Sequence, residues 1–243
     1  MFEKRKEWNK TRFGSIDEKI LGKIDEARDI LWPDMVKEYE VKGHILKYQM
    51  VKDIEKSAER IAEIFRNCAD EMVGNSELEW HHSPEKIIEM YRTEDWNFYG
   101  CYLEGKLISV SSMHTIRGQR AIQWIYGCVD PPYRGMGVWH YMGEYYDIIV
   151  QMSGAQMGFY SVVTSHNYSQ MTAEKAGFRP MGCFVGGSFY GGSDGRYFRQ
   201  NMIYYGKLYG EGKKHLQKWE TMVLTEKAEK LVKTIKELWA DSI

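Results

Sequence analysis

A short glycine-containing stretch, RGMGV at residues 134–138, lies where a strand pattern gives way to a helix pattern. The first amides of a helix have no intrahelical acceptor, and the helix dipole adds partial positive charge there. Glycines let an anion approach that backbone closely, and the guanidinium of Arg134 adds a full charge. The stretch therefore fits a diphosphate-binding turn. The alternative is a plain strand-to-helix turn, in which glycine only provides a positive φ.

The glycine spacing distinguishes this turn from two common phosphate-binding motifs. It is neither GxGxxG nor GxxxxGK[ST], so dinucleotide and Walker-type binding do not fit. A second glycine-rich segment, GGSFYGGSDG at residues 186–195, lies between two strand patterns. We interpret that segment as a hairpin with a bulge rather than as a phosphate site.

Several side chains could accept a proton. The candidates for a general base are His114, Asp130, Glu79, His81 and His82. Each has a simpler interpretation, because loop histidines are usually solvated and an aspartate before proline can shape a turn. A proton can also be removed through a water path, without a dedicated base. The residues alone leave these alternatives open.

Composition and charge exclude several classes of function. The 243 residues include 33 basic and 34 acidic side chains, a balance that argues against a nucleic-acid partner. Four cysteines without a CxxC spacing predict reduced thiols in a cytoplasmic protein. The seven histidines lack HxxxH and HExxH spacings, so we expect no metal site. The chain also lacks an apolar leader and a long apolar run, which predicts no membrane partner.

The elements around the turn follow from hydrophobic periodicity. The N-terminal half predicts a helix at 15–32 with a Ser15/Glu18 capping box, a strand at 43–51, a helix at 53–69 and a short helix from Pro84. The second half predicts strands at 96–116 folded at Glu104-Gly105, a strand at 121–129 and a helix to Ser153. It then predicts a strand at 158–164, a helix at 167–176, two strands around GGSDG, and a long amphipathic helix at 213–239.

This order predicts an α+β fold, with a mixed, mostly antiparallel central sheet and helices on both faces. We expect a helical extension at residues 1–40, a main domain at 41–207 and a C-terminal helix within 208–243. The apolar faces of the terminal helices need a covering surface. The sequence leaves open whether they pack within the chain or form a homodimer.

Two segments carry a resemblance to a known family. VDPPYRGMGV before a helix, followed after a strand by TSHNYSQMTAEKAGFRPMG, resembles the GCN5-related N-acetyltransferases. The family's phosphate motif is Arg/Gln-x-x-Gly-x-Gly/Ala, and its helix-to-strand junction often reads Lys-x-Gly-Phe, here within Glu174 to Phe178. The resemblance spans about residues 43–207 and agrees with the order of elements.

The resemblance implies the acyl-CoA N-acyltransferase type of fold and acetyl-CoA as co-substrate. The cofactor would lie in a V-shaped opening between two parallel strands, with pantetheine pairing along one of them like an extra strand. The family's usual Asn after the fifth strand corresponds to His166 or Asn167. The implied cofactor-binding residues are Cys128, Val129, Arg134, Gly135, Met136, Gly137, Val138, His166 and Asn167.

The chain departs from the family pattern at three positions. Trp139 replaces the second small residue of the phosphate motif. The position of the family's acid tyrosine is Ala173, and the nearest phenol is Tyr168. The strand glutamate that acts as base in some members is Gln123, which can orient a water but cannot take a proton. The expected catalytic candidates are thus Gln123, Tyr168 and His114.

The resemblance implies an N-acetyltransferase that moves the acetyl group of acetyl-CoA to a small-molecule amine. The amine would attack the thioester directly in a ternary complex, and a backbone amide would stabilise the oxyanion. Two alternatives remain open. The donor is a different acyl-CoA, or the chain is a non-catalytic acyl-CoA-binding module, since the usual acid and base are both replaced.

Overall fold

The computed structural model describes residues 29–71, 79–191 and 195–242. Eight strands form one sheet: β1 (Val36–Val41), β2 (His44–Met50), β3 (Trp96–Leu103), β4 (Lys106–Ile116), β5 (Ala121–Val129), β6 (Met157–Val163), β7 (Arg179–Gly191) and β8 (Tyr197–Leu208). Their order is β1-β2-β3-β4-β5-β6-β8-β7. Neighbouring strands are antiparallel except β5 and β6, which are parallel. The predicted α+β class with a mostly antiparallel mixed sheet is confirmed.

Six helices accompany the sheet in the described residues: α1 (Ile54–Asn67), α2 (Pro84–Tyr91), α3 (Val138–Ser153), α4 (Tyr168–Lys175), α5 (Glu211–Lys214) and α6 (Glu226–Trp239). Local signals explain where the first two begin. The Asp53 carboxylate accepts the amide of Lys56, and the Ser83 hydroxyl accepts that of Lys86. These capping bonds satisfy amides that the helices themselves leave free.

Helices cover both faces of the sheet. Phe98 and Tyr99 are adjacent on β3, so their side chains point to opposite faces. Phe98 belongs to a core cluster that includes Ile61 and Phe65 of α1, whereas Tyr99 belongs to the cluster that includes Tyr145 of α3. The sheet is therefore the middle layer of three, as the sequence predicts.

The parallel strands β5 and β6 separate soon after they begin. Their pairing covers only Ala121 with Met157, Ile122 with Gly158 and Gln123 with Phe159. A bulge on β5 shifts its register with β4 next to Trp124, and bulges bend strands and increase their twist. Residues 124–129 of β5 then face a widening gap, which confirms the expected opening between the central parallel strands.

The sheet extends further towards the N-terminus than the sequence predicts. Strand β1 pairs with β2 through a tight turn at Lys42-Gly43, where both residues have positive φ. The boundary expected between residues 40 and 41 thus divides this hairpin. β1 reads VKEYEV, and alternating charges of this kind suit an exposed edge strand but give a weak strand signal. Of the helix expected at 15–32, residues 15–28 lie outside the described residues and 29–32 belong to no helix.

The long helix expected at 213–239 is wrong. The segment contains the single turn α5, a 3₁₀ turn at Trp219–Thr221 and α6, whose first turn is capped by the Thr225 hydroxyl. Three side chains expected to face inward are instead exposed: Val223 at 90%, Leu231 at 57% and Leu238 at 45%. The anchor of α6 is Trp239, which is buried and donates its Nε1–H to the carbonyl of Pro180 at 2.9 Å.

The remaining sequence-predicted junctions agree with the structure. α4 ends before Gly177, whose φ is +82°, and the buried Phe178 precedes β7. The β7–β8 pairing contains a shift between Phe184 and Ser188, as expected for a bulged hairpin. Residues 192–194 of its turn lie outside the described residues.

Candidate functional site

The glycine turn joins β5 to α3 and exposes bare backbone. After β5, Pro131–Tyr133 form one 3₁₀ turn, and Gly135 and Gly137 follow with φ of +77° and +83°. Only glycine adopts this region without strain. A Cβ added to Gly135 would meet nothing within 4 Å, and one at Gly137 would meet only Val41 Cγ1 at 3.5 Å. The glycines therefore set the backbone conformation, and the surface above them is open.

The β1–β2 hairpin holds the turn from behind. Lys42 Nζ donates to the carbonyl of Gly135 at 3.1 Å, and the buried Tyr48 hydroxyl donates to the carbonyl of Val138 at 2.7 Å. Val138 and Trp139 are the first residues of α3, so their amides have no intrahelical acceptor. In these two bonds the hairpin contacts carbonyl groups, and it does not occupy the amides of Val138 and Trp139.

A cavity of about 950 Å³ opens beside the turn. We call it the glycine-turn cavity. Its walls come from the end of β5, the turn, the start of α3 and one face of α4: Cys128, Val129, Arg134, Gly135, Gly137, Val138, Trp139, His140, Tyr168, Met171, Thr172 and Lys175. Seven of the nine residues expected to bind the cofactor, including His166, thus border one space.

A smaller cavity of about 380 Å³ lies between the diverging strands. We call it the strand-gap cavity. Its walls include Gln123, Trp124 and Tyr126 of β5, Tyr160 and Ser161 of β6, and Met202 and Tyr204 of β8. His166, Thr172 and Trp139 border both cavities, so the two spaces adjoin.

Trp139 stands at the junction of the two cavities. Its indole lies against β5, where a Cβ added to Gly127 would be 2.9 Å from Trp139 Cη2. The ring is 5.2 Å from that of Trp124, measured between centroids. The residue that departs from the family's phosphate motif therefore fills part of the gap between β5 and β6, and the missing side chain of Gly127 makes room for it.

Arg134 is engaged away from the turn amides. Its Nη1 contacts both carboxylate oxygens of Glu71, at 2.9 and 2.7 Å, and its Nε donates to the carbonyl of Val129 at 3.3 Å. Its Nη2 lies 3.5 Å from the sulfur of Cys68. The guanidinium therefore borders the glycine-turn cavity with part of its charge offset by Glu71.

A thiol pair adjoins this guanidinium. A hydrogen bond from Cys128 and the charge of Arg134 lower the pKa of Cys68, although burial opposes them. Burial raises the pKa of Cys128. Both residues line the glycine-turn cavity, and Cys68 carries the more acidic thiol of the two. The sequence did not point to Cys68, because its proximity to Arg134 arises only from the packing of α1 against β5.

Asp130 acts as a structural anchor in the fold. It is only 3% exposed, pairs with the guanidinium of Arg60 and accepts a hydrogen bond from Asn67 Nδ2 at 3.0 Å. Burial raises the pKa of this carboxyl, but the bonds from Arg60 and Asn67 outweigh it and hold the pKa below its ordinary value. Since both partners lie on α1, the carboxylate is directed towards α1 rather than towards either cavity.

The histidine candidates lie away from the two cavities. His81 is buried, with Nε2 2.8 Å from the Ser112 hydroxyl and its ring stacked on Trp80. Burial lowers the pKa of His82 and of His114. His114 packs on the ring of Trp96, with centroids 4.6 Å apart, one strand from Gln123. Gln123 itself lines the strand-gap cavity.

Of the remaining sequence candidates, Tyr168 and His166 border the glycine-turn cavity, whereas Asn167 and Glu79 do not line it. Tyr168 is 70% exposed and borders the glycine-turn cavity, with its ring 5.3 Å from that of His166. His166 borders both cavities, whereas Asn167 is the N-cap residue of α4. Glu79 begins a 3₁₀ turn next to the buried His81. Within the described residues, no group of three His, Cys, Asp or Glu side chains could hold a metal ion.

One phenol that the sequence did not single out lines the strand-gap cavity. Tyr160 on β6 is 5% exposed, and its hydroxyl has no hydrogen-bond partner among the described residues. Burial raises its pKa, so the hydroxyl stays protonated at neutral pH. In the sequence Tyr160 is one aromatic residue in an apolar strand, and only the divergence of β5 from β6 opens space beside it.

Solved structures identify the fold. The chain is similar to the ribosomal-protein-S5-alanine acetyltransferase from Vibrio fischeri, with a TM-score of 0.56 and 15% identity over 72% of this chain and 97% of that one. It is similar to a GNAT superfamily phosphinothricin acetyltransferase from Sinorhizobium meliloti solved with AcCoA, with a TM-score of 0.55 and 14% identity over 72% and 94% of the two chains. An N-acetyltransferase from Staphylococcus aureus gives a TM-score of 0.55 and 13% identity over 67% and 98%.

Sequence comparison adds no closer relation. No protein-family model matches the chain, and none of the curated proteins searched does. Within the described residues, no helix has the length and apolar character needed to cross a bilayer. The similarity to solved structures concerns the fold alone. The chain therefore has the fold of the GCN5-related N-acetyltransferases.

Proposed function

We propose that the protein is an N-acetyltransferase that moves the acetyl group of acetyl-CoA to a small-molecule amine. The observation that carries the proposal is the glycine turn, which presents free α3 amides to a large cavity. The cavity lies beside residues 124–129 of β5, which β6 leaves unpaired. A structural neighbour was solved with AcCoA, which supports this choice of donor. The amides of Gly135 to Val138 would bind the diphosphate.

The pantetheine arm would run along β5. Because β5 pairs with β6 only as far as Gln123, residues 124–129 present a backbone edge to the gap. An extended chain with amide groups can hydrogen-bond to such an edge as an added strand. This path would bring the thioester from the glycine-turn cavity towards Trp139 and the strand-gap cavity, where we place the acceptor.

The chemistry is a direct transfer between the two cavities. The neutral amine attacks the thioester carbonyl, and a backbone amide of β5 stabilises the oxyanion that forms. The carbon–sulfur bond then breaks, and the coenzyme A thiolate takes a proton. Gln123 lines the strand-gap cavity and would orient a water molecule, but it cannot remove the amine proton. We therefore propose that water carries this proton away past His166, which, like Glu71, borders both cavities.

Gly137→Asp tests the donor site. An aspartate at this position sets a negative charge beside the proposed diphosphate, so we expect acetyl-CoA affinity to fall by at least about tenfold, or roughly 1.4 kcal/mol. The matched control is Gly105→Asp, because Gly105 also has a positive φ, and an added Cβ there would meet no atom within 4 Å, compared with one ordinary contact at Gly137. Calorimetric titration with acetyl-CoA gives the affinities, and circular dichroism checks the fold.

Two outcomes decide the proposal. Equal acetyl-CoA affinity in Gly137→Asp and the control would remove the glycine turn from the site. Thiol release from acetyl-CoA on addition of a panel of small amines tests catalysis separately. Binding without thiol release across that panel, and across ribosomal-protein N-terminal peptides, would instead favour a non-catalytic acyl-CoA-binding module.

A further inference from the structure

The indole of Trp139 divides the space that the two diverging strands enclose. It borders the glycine-turn cavity on one side and the strand-gap cavity on the other. Its far edge touches β5 at Gly127, where any side chain would collide with it. It also packs beside Trp124, whose own ring contacts Tyr146 and Tyr160. Closely packed rings resist displacement, so this wall is supported from behind.

The compartment beyond the wall is suited to polar groups. Its lining includes the polar side chains of Gln123, Ser161 and His166. An apolar acyl chain placed there would displace water from these groups without replacing its hydrogen bonds, which costs free energy. A molecule with hydrogen-bonding groups would instead satisfy them.

We propose that Trp139 is a specificity-determining residue that limits the donor to a short acyl chain. This inference rests on the proposed acyl-CoA-dependent function. A pantetheine arm along β5 delivers the acyl carbon to the region of Gly127, where the indole blocks further extension. The wall keeps the strand-gap cavity free for the acceptor. A shorter side chain at position 139 joins the two cavities and admits longer chains.

The test compares the affinities of four probes: coenzyme A, acetyl-CoA, butanoyl-CoA and octanoyl-CoA. In the wild-type protein we expect octanoyl-CoA to bind at least about tenfold more weakly than acetyl-CoA, because pocket size discriminates methylenes by factors of this order. In Trp139→Ala we expect octanoyl-CoA to gain at least about tenfold relative to acetyl-CoA, with free coenzyme A little changed. Titration calorimetry measures all four.

Two further variants secure the interpretation. Trp139→Leu keeps an apolar side chain and serves if the alanine variant fails to fold; it should shift the chain-length preference in the same direction. Tyr168→Ala also removes a ring from the glycine-turn cavity but lies away from the strand gap, so it should leave that preference unchanged. Hydrolysis of the bound thioester is monitored in parallel, so that only intact ligand is counted.

The outcomes distinguish a failure of the role inferred for Trp139 from a failure of the proposed function. Equal binding of acetyl-CoA and octanoyl-CoA by the wild-type protein overturns the role of Trp139, as does an unchanged preference in both position-139 variants. In either case the proposed acetyl transfer stands if acetyl-CoA still binds. Absence of binding by every coenzyme A probe overturns the proposed function, and the inference with it.

Discussion

At the residue scale, the cysteine thiols of the chain have sharply different environments. Cys68 borders the glycine-turn cavity near Arg134, and a hydrogen bond from Cys128 together with that charge lowers its pKa. Cys101 lies in the core, where burial raises its pKa to about 12. Cys183 is exposed. Thiolate is the reactive form, so pKa and access together should order their reactivity.

At neutral pH we expect iodoacetamide to modify the exposed Cys183 fastest, Cys68, which is only 2% exposed at the cavity wall, more slowly, and Cys101 in the core not at all. Because the pKa of Cys68 is lowered, its alkylation rate should already reach its plateau below the ordinary thiol range. Acetyl-CoA should protect Cys68 and leave Cys183 unprotected. Peptide mass spectrometry over a pH series measures each site. Protection of neither thiol, or of both equally, would contradict this placement of the cofactor beside Cys68.

At the element scale, the Arg60–Asp130–Asn67 cluster fixes α1 to the end of β5. Removing one partner of a buried ion pair leaves an uncompensated charge, which typically costs about 3 kcal/mol or more. Arg60 keeps some contact with solvent and also pairs with Glu63. We therefore expect Asp130→Asn to destabilise the fold by about 2 kcal/mol, measured by urea unfolding at pH 7.

The same variant should change the acid dependence of stability. The folded-state pKa of Asp130 is lowered, so its contribution is present above the unfolded pKa and is lost as pH falls through the folded value. Asp130→Asn should therefore flatten the loss of stability on the acid side. Asp95→Asn is the control, because its ion pair with Arg117 is more exposed and should contribute less than about 1 kcal/mol. Equal effects of the two variants would contradict the anchor role.

Sequence periodicity predicted the elements that have a regular apolar pattern or clear capping and turn residues. α1 to α4 and β3 to β6 follow from apolar spacing, capping residues and the Glu104-Gly105 turn. The β1 strand was missed, because an edge strand with alternating charges lacks an apolar pattern. The break before α6 was missed, because Val223 and Leu231 continue a helical spacing that the fold does not bury.

The sequence predicted the site only where the backbone conformation restricts the residue type. The glycine turn and the β5 end could be read from the sequence, since positive φ at Gly135 and Gly137 restricts the residue type. The direction of the Trp139 side chain depends on Gly127, twelve residues earlier on another element, so it needed the structure. The same holds for Tyr160, whose place beside the strand-gap cavity follows from the strand divergence.

At the scale of the whole molecule, α6 is attached to the sheet chiefly through one residue. Trp239 is buried against β7 and donates to Pro180, whereas Leu231 and Leu238 remain exposed. We expect Trp239→Ala to abolish hydrogen-exchange protection over 226–239 while leaving β3 to β6 protected, since local opening follows the loss of buried contacts. Trp219→Ala, in the half-buried 3₁₀ turn, is the control. Retained protection of α6 would show that other contacts hold it.

The contacts of the β1–β2 hairpin with the glycine turn bear on how an anion would bind. Lys42 and Tyr48 hold the carbonyls of Gly135 and Val138 on the hairpin side. In a planar trans peptide the amide of the following residue points the opposite way, so the amides of Met136 and Trp139 are turned from the hairpin. Their orientation is preorganised before any ligand arrives, and binding need not supply the entropy of ordering the loop. A hairpin whose outer strand carries little apolar signal thereby preorganises a site that lies about ninety residues further along the chain.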